Sequence, residues 1–175
     1  MFKIKQVSRA GAELVAKIVN EAYAQQAEIL QITQGNCPAY AGFETKEHVE
    51  EAIIKGYEVF VLYRLGTPVG TIRFLVDRNN NGKGYVNYLA VLPEFWNQKC
   101  GTTLLEFAEK ELFKRHVKRI ETSIIKQFKA CEDYYLKRGY VIKTDLLAVT
   151  YPFEVRYMEL DIQNVNKQER TVSCV

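Results

Sequence analysis

The amino-acid sequence predicts a mixed α/β fold, a central mixed sheet with helices on both faces, in the order β-α-α-β-β-β-α-β-α-β-β. Three observations carry that expectation. Tyr57 to Leu92 holds three strand-like runs divided by two turn signals, an antiparallel meander. The chain then alternates strand, helix and strand, the pattern of a βαβ unit. Finally, Tyr88 to Leu112 (YLAVLPEFWNQKCGTTLLEFAEKEL) packs a strand end, a polar loop with one glycine and a helix start into one short span. A helix start presents unpaired backbone N–H groups and the positive end of the helix dipole, which suits a diphosphate.

Each element has its own signal. Phe2 and Ile4 alternate with Lys3 and Lys5, as a first strand does. Ser8 is a candidate helix cap, and Leu14, Val15, Ile18, Val19, Ala22 and Tyr23 recur at helical spacing. Thr33 to Gly42 reads as a loop. Thr45 caps a second helix through Val49, Ala52 and Ile53, which Gly56 ends. Tyr57–Arg64 and Val69–Val76 are strands around a turn at Gly66-Thr67-Pro68. Asp77 to Gly84 (DRNNNGKG) is a hairpin signal leading into the strand Tyr85–Leu92. Thr102–Arg115 is a helix with Leu104, Leu105, Ala108 and Leu112 inward, and Arg119–Ile125 a strand. Ala130–Lys137 is a short helix stopped by Gly139, before strands at Tyr140–Lys143 and Glu154–Ile162. The division expected is one domain over 1–162 and a polar C-terminal tail over 163–175.

Composition narrows the class. A chain of 175 residues with 47% hydrophobic and 26% charged residues is ordinary for a globular protein with a sizeable core. The net charge of +3 is not gathered into a stripe, which argues against a nucleic-acid or membrane partner. Cys37, Cys100, Cys131 and Cys174 lie far apart, with no metal-ligand spacing, so no metal is expected. The start MFKIKQVS reads as a strand rather than a secretion signal, and no apolar run reaches membrane-spanning length. A cytoplasmic, reduced protein is the expectation.

Two motifs give the order a family likeness. One is LAVLPEF with its loop and Gly101-Thr102-Thr103-Leu104-Leu105; the other is Tyr134-Tyr135-Leu136-Lys137-Arg138-Gly139-Tyr140. Together, in this order and context, the chain up to Ile162 resembles the GNAT superfamily of acyl-CoA-dependent N-acyltransferases. The resemblance implies acetyl-CoA as co-substrate, without a metal. It implies that backbone groups of Leu89, Ala90 and Val91 pair with the pantetheine arm like an added strand, and that a backbone N–H polarises the thioester carbonyl. Trp96, Asn97, Gln98, Lys99, Cys100, Gly101, Thr102 and Thr103 would cradle the pyrophosphate. Tyr135 matches the tyrosine that protonates the departing thiolate; a phenol titrates near ~10 and an alkyl thiol within about two units of it, so the transfer is roughly balanced. Asn87 and Tyr88 would touch the acceptor, a small-molecule or peptide amine. The family's frequent dimerisation extends to a homodimer here.

The chain also departs from the family pattern. Trp96 stands where the family has Arg or Gln, Lys99 where it has glycine, and Phe128, beside Gln127, where it often has Asn. Lys99 is read equally as a solvated lysine and as a point charge for phosphate, and Trp96 as a cover for the helix start or a contact for adenine or pantetheine. The strand before LAV carries Asn87 and Tyr88 instead of a carboxylate base; Glu44 and Glu28 are the remaining candidates, acting through water. His48 and His116 read as structural, Cys100 as a bystander, and Arg73 as a partner of Asp77 or of an acidic substrate. The expected activity is direct acetyl transfer to a primary amine. The competing expectation is a non-catalytic acyl-CoA-binding or degenerate module acting as a sensor or interaction domain.

Overall fold

The computed structural model describes residues 1–80, 82–147 and 151–162, so the polar tail expected over 163–175 lies outside the described residues. Among the described residues, seven strands and four α-helices follow one another in the expected order. They are β1 (Phe2–Gln6), α1 (Ala12–Ile29), α2 (Lys46–Ile54), β2 (Glu58–Arg64), β3 (Thr67–Val76), β4 (Lys83–Val91), α3 (Cys100–Lys114), β5 (Arg119–Ile125), α4 (Lys129–Lys137), β6 (Val141–Leu146) and β7 (Val155–Asp161). The hydrogen-bonded strand order is β1-β2-β3-β4-β5-β7-β6. The chain divides into two compact units, Met1–Leu75 with Val86–Ala108, and Val76–Tyr85 with Glu109–Val175.

In the first unit β1 pairs antiparallel with β2, and β2 with β3. The apolar face of α1 supplies Val15, Ile18, Val19 and Ala22 to a core shared with Val49 of α2, Val59 and Val61 of β2, and Ala90 of β4. Phe60, Phe74 and Phe107 form a second aromatic group, Phe60 stacking on Phe74 at 5.3 Å and meeting Phe107 edge-on at 4.8 Å. Thr45 caps α2 as its sequence position predicts, its hydroxyl accepting from the His48 N–H at 3.2 Å. Ser8 does not cap α1. It precedes a 3-10 turn at Arg9–Gly11, its side chain makes no capping bond, and Gly11 stands at the start of the helix.

The β2–β3 turn also sits earlier than expected. Leu65 and Gly66 take left-handed φ values of 50° and 88°, forming a two-residue hairpin whose twist matches the strands. Thr67 and Pro68 then belong to β3, opposite Arg64 and Tyr63 beside a bulge, where a strand tolerates proline. In the second unit β4 runs parallel to β5 over Lys83↔Arg119 to Tyr85↔Glu121, while β5 and β6 each pair antiparallel with β7. Its buried residues include Ile120, Tyr135, Tyr140, Met158 and Leu160. Among the described residues, no helix is long and apolar enough to cross a membrane.

Candidate active site

Strand β4 of the first unit is irregular where the sequence places its chemistry. Tyr88 has φ +53°, a left-handed conformation that an aromatic residue rarely adopts in mid-strand. Its neighbours are tied by other side chains. Asn87 Nδ2 donates to the Tyr57 hydroxyl at 3.3 Å, and the Tyr23 hydroxyl of α1 donates to the Leu89 carbonyl at 3.2 Å. Two residues on, the Trp96 indole N–H donates to the Val91 carbonyl at 2.7 Å. Ala90 is pressed from below: a Cβ built on Gly70 would lie 2.7 Å from the Ala90 carbonyl oxygen and 3.1 Å from Leu104 Cδ1. Gly70 is therefore required by close approach, a role its place in an ordinary strand pattern does not announce.

The loop into α3 begins with a 3-10 turn, Pro93–Phe95. Asn97 and Lys99 take φ values of 58° and 63°. Lys99 thus holds the backbone conformation that glycine adopts without cost, which accounts for the glycine expected there. The Lys99 carbonyl accepts from both the N–H and the hydroxyl of Thr103, at 2.9 Å each. The backbone N–H groups of Cys100, Gly101 and Thr102 precede the first intrahelical bond and remain available by helix geometry. Gln98 is anchored twice, donating to the Glu94 carbonyl at 2.8 Å and accepting from Arg64 Nη1. Arg64 closes β2 and so brings a cation to a loop whose own arginine position holds Trp96; no local motif points to it, because the two sites are 34 residues apart. Cys100 is buried, and burial pushes its thiol up, consistent with a bystander.

A polar cluster stands beside Tyr88 in the same unit. Glu44 follows the 3-10 turn Ala41–Phe43, and its side chain is only 2% exposed. Arg73 of β3 places Nη1 3.3 Å from Glu44 Oε2. The guanidinium carbon also lies 3.3 Å from the centroid of the Tyr88 ring and 5.5 Å from that of Tyr57. His48 Nδ1 is 3.7 Å from Glu44 Oε1. Burial pushes the Glu44 carboxyl above the usual carboxylate range, against the lowering effects of Arg73, His48 and Tyr88. Arg73 therefore pairs with Glu44. Asp77 instead accepts from the N–H groups of Asn79 and Asn80, at 2.9 and 3.2 Å.

Tyr135 belongs to the second unit, on α4. It is 6% exposed and packs edge-on between Tyr134 and Tyr140, at 5.3 and 5.1 Å. Burial pushes its phenol well above the usual range. The ring thus supplies core packing, and burial favours its neutral hydroxyl. Phe128 stands at the N-cap of α4 and makes no side-chain cap.

The meander, the βαβ unit and the left-handed kink in β4 ahead of α3 make this a mixed α/β protein with an irregular strand leading into a helix start. Residues 27–140 match the model of the Acetyltransferase (GNAT) family, and the chain belongs to that family. No curated protein sequence gives a significant match. Among solved structures, the chain is similar to the PaiA N-acetyltransferase of Thermoplasma acidophilum in complex with coenzyme A, with TM-score 0.75, 18% identity, and 92% of this chain and 99% of that one covered. It is also similar to the ribosomal-protein-S18-alanine N-acetyltransferase of Escherichia coli, with TM-score 0.69, 18% identity, and coverage of 93% and 94%. A spermidine N-acetyltransferase chimera of Vibrio cholerae aligns with TM-score 0.70, 12% identity, and coverage of 93% and 96%.

Proposed function

We propose that the chain moves an acetyl group from acetyl-CoA to a primary amine by direct transfer, as a domain spanning residues 1–162. Family membership over residues 27–140 carries this reading. The left-handed kink at Tyr88, immediately before Leu89-Ala90-Val91, supports it. Acetyl-CoA supplies an activated thioester carbonyl when bound. The residues present fit such a molecule: α3 opens with available N–H groups, and Lys99 and Arg64 stand at the same loop as cations. In this reading Leu89–Val91 bind pantetheine through their backbone, and Trp96–Thr103 bind the pyrophosphate. Asn87 and Tyr88 contact the acceptor, and the Tyr135 hydroxyl delivers the proton to the leaving sulfur. Solved neighbours named for spermidine and for the alanine of a ribosomal protein make a small amine and a peptide amine the acceptor classes to test.

One observation favours a second reading, a non-catalytic acyl-CoA-binding or degenerate module. The Val91 carbonyl, a backbone partner assigned to pantetheine, already accepts the Trp96 indole. Titration calorimetry with acetyl-CoA, followed by turnover across an amine panel, separates the two. Binding with transfer is expected; absence of binding removes the enzyme reading, and binding without transfer establishes the module. With Tyr135→Phe, transfer at neutral pH should fall while acetyl-CoA affinity stays nearly unchanged. Equal transfer by the variant removes Tyr135 from the mechanism.

A further inference from the structure

Left-handed backbone at a non-glycine residue disfavours the folded strand and persists where surrounding contacts over-determine it. Tyr88 meets that description. It lies inside β4 rather than at a chain reversal, with φ +53°. Four different parts of the chain hold it and its two neighbours. Tyr57, just before β2, receives the Asn87 amide, and Tyr23 of α1 fixes the Leu89 carbonyl. Tyr88 itself is held by its ring. Arg73 of β3 lies on the ring at 3.3 Å from its centroid, and Glu44 pairs with Arg73. Glu44 is in turn fixed through its backbone, its carbonyl accepting from Asn20 Nδ2 of α1 at 2.9 Å. A carboxylate and a guanidinium this buried need each other, because either alone is an uncompensated charge.

We propose that the Glu44–Arg73 pair is a positioning brace: it locks Tyr88 in the left-handed conformation and so sets the backbone of Leu89–Val91 that receives the pantetheine arm. Glu44 and Arg73 act through Tyr88 and touch neither reactant. This rests on the reading of β4 as the acyl-CoA edge. It assigns the buried carboxylate a task other than proton acceptance from the amine.

The test exploits the difference between alanine and glycine at a left-handed position. Tyr88→Ala loses the ring contacts and keeps the Cβ, so CoA binding measured by calorimetry should weaken about five- to thirty-fold. Tyr88→Gly loses the same contacts but adopts positive φ freely, so its CoA affinity should stay within about twofold of the unsubstituted protein. Arg73→Gln should weaken CoA binding in the Tyr88 background and leave it unaltered in the Tyr88→Gly background. Melting temperatures of the same proteins should show the same coupling without ligand. If Tyr88→Ala and Tyr88→Gly bind CoA equally, or if Arg73→Gln acts alike in both backgrounds, the brace is overturned while the CoA reading stands. Failure of the unsubstituted protein to bind CoA overturns the reading of β4 and the positioning role together.

Discussion

Replacing Trp96 with phenylalanine removes one indole N–H and keeps a flat ring at a position 43% exposed. The bond that disappears runs from Nε1 to the Val91 carbonyl at 2.7 Å, a good length for an N–H···O bond. In the native chain, a pantetheine amide seeking that carbonyl must first displace the indole. In Trp96→Phe it displaces only water. A protein hydrogen bond is worth about 0.5–1.5 kcal/mol net of its exchange with water. At about 1.4 kcal/mol per tenfold, that predicts acetyl-CoA binding tighter by about two- to twelve-fold. Calorimetry with acetyl-CoA on the native protein and the variant reads this directly, and the exposed site keeps the change in stability small. Unchanged affinity would refute the competition. Weaker affinity would refute it too, and would assign Trp96 to the adenine or pantetheine contact instead.

Gly70→Ala should destabilise the protein by about 1–3 kcal/mol in denaturant titration, because the new methyl meets the Ala90 backbone carbonyl at 2.7 Å and cannot be relieved by a side-chain rotation; a neutral substitution would show that β3 and β4 move apart freely. At the other end of the chain, Arg156 donates to both oxygens of Asp145 at 2.7 and 2.8 Å, with Lys126 at 3.0 Å, and these contacts hold the carboxyl well below its usual range. A carboxyl depressed in the folded state contributes stability above its unfolded pKa of about 4 and loses it as pH falls further toward the folded value. The melting-temperature gap between the native protein and Asp145→Asn should therefore be wide at neutral pH, begin to narrow below about pH 4 and keep narrowing as pH falls toward the folded value; a constant gap across that window contradicts the assignment.

The parts of the fold that rest on periodicity were legible. β1 and β5 occupy the residues their alternation indicates, and Thr45 caps α2 because a hydroxyl before an amphipathic run has a local partner. Misplaced features were those decided by competition between neighbouring signals. Gly66-Thr67-Pro68 contains two turn-favouring residues, but Leu65 joined Gly66 in the left-handed region and released Thr67 and Pro68 to the strand. Ser8 lost α1 to a 3-10 turn that Gly11 completes. The candidate site was legible only as segments. Arg73 and Glu44 are 29 residues apart, on a strand and after a short turn, and nothing local in either pairs them. Arg64 reaches the α3 loop for the same kind of reason. Long-range pairing of charges is set by how elements pack, which no window of sequence contains.

Where the backbone is forced tells more than which residues are polar. Among the described residues, six non-glycine positions have positive φ: Gln31, Leu65, Tyr88, Asn97, Lys99 and His116. Leu65 lies in a hairpin turn, and Gln31 and His116 follow the ends of α1 and α3, places where a left-handed residue closes a turn or a helix. The other three fall between Tyr88 and Lys99, the span proposed here to meet the acceptor and acyl-CoA. Asn97 has an ordinary excuse, since its short amide tolerates the conformation. Tyr88 and Lys99 have none, and each could have been glycine at lower conformational cost. Retaining a side chain there makes sense if the side chain works: the Tyr88 ring receives Arg73, which pairs with Glu44, and Lys99 precedes a helix start, a place whose dipole suits an anion. The chain thus meets both demands of a strained site at one residue each, holding an unusual backbone and presenting a functional group, where glycine meets only the first.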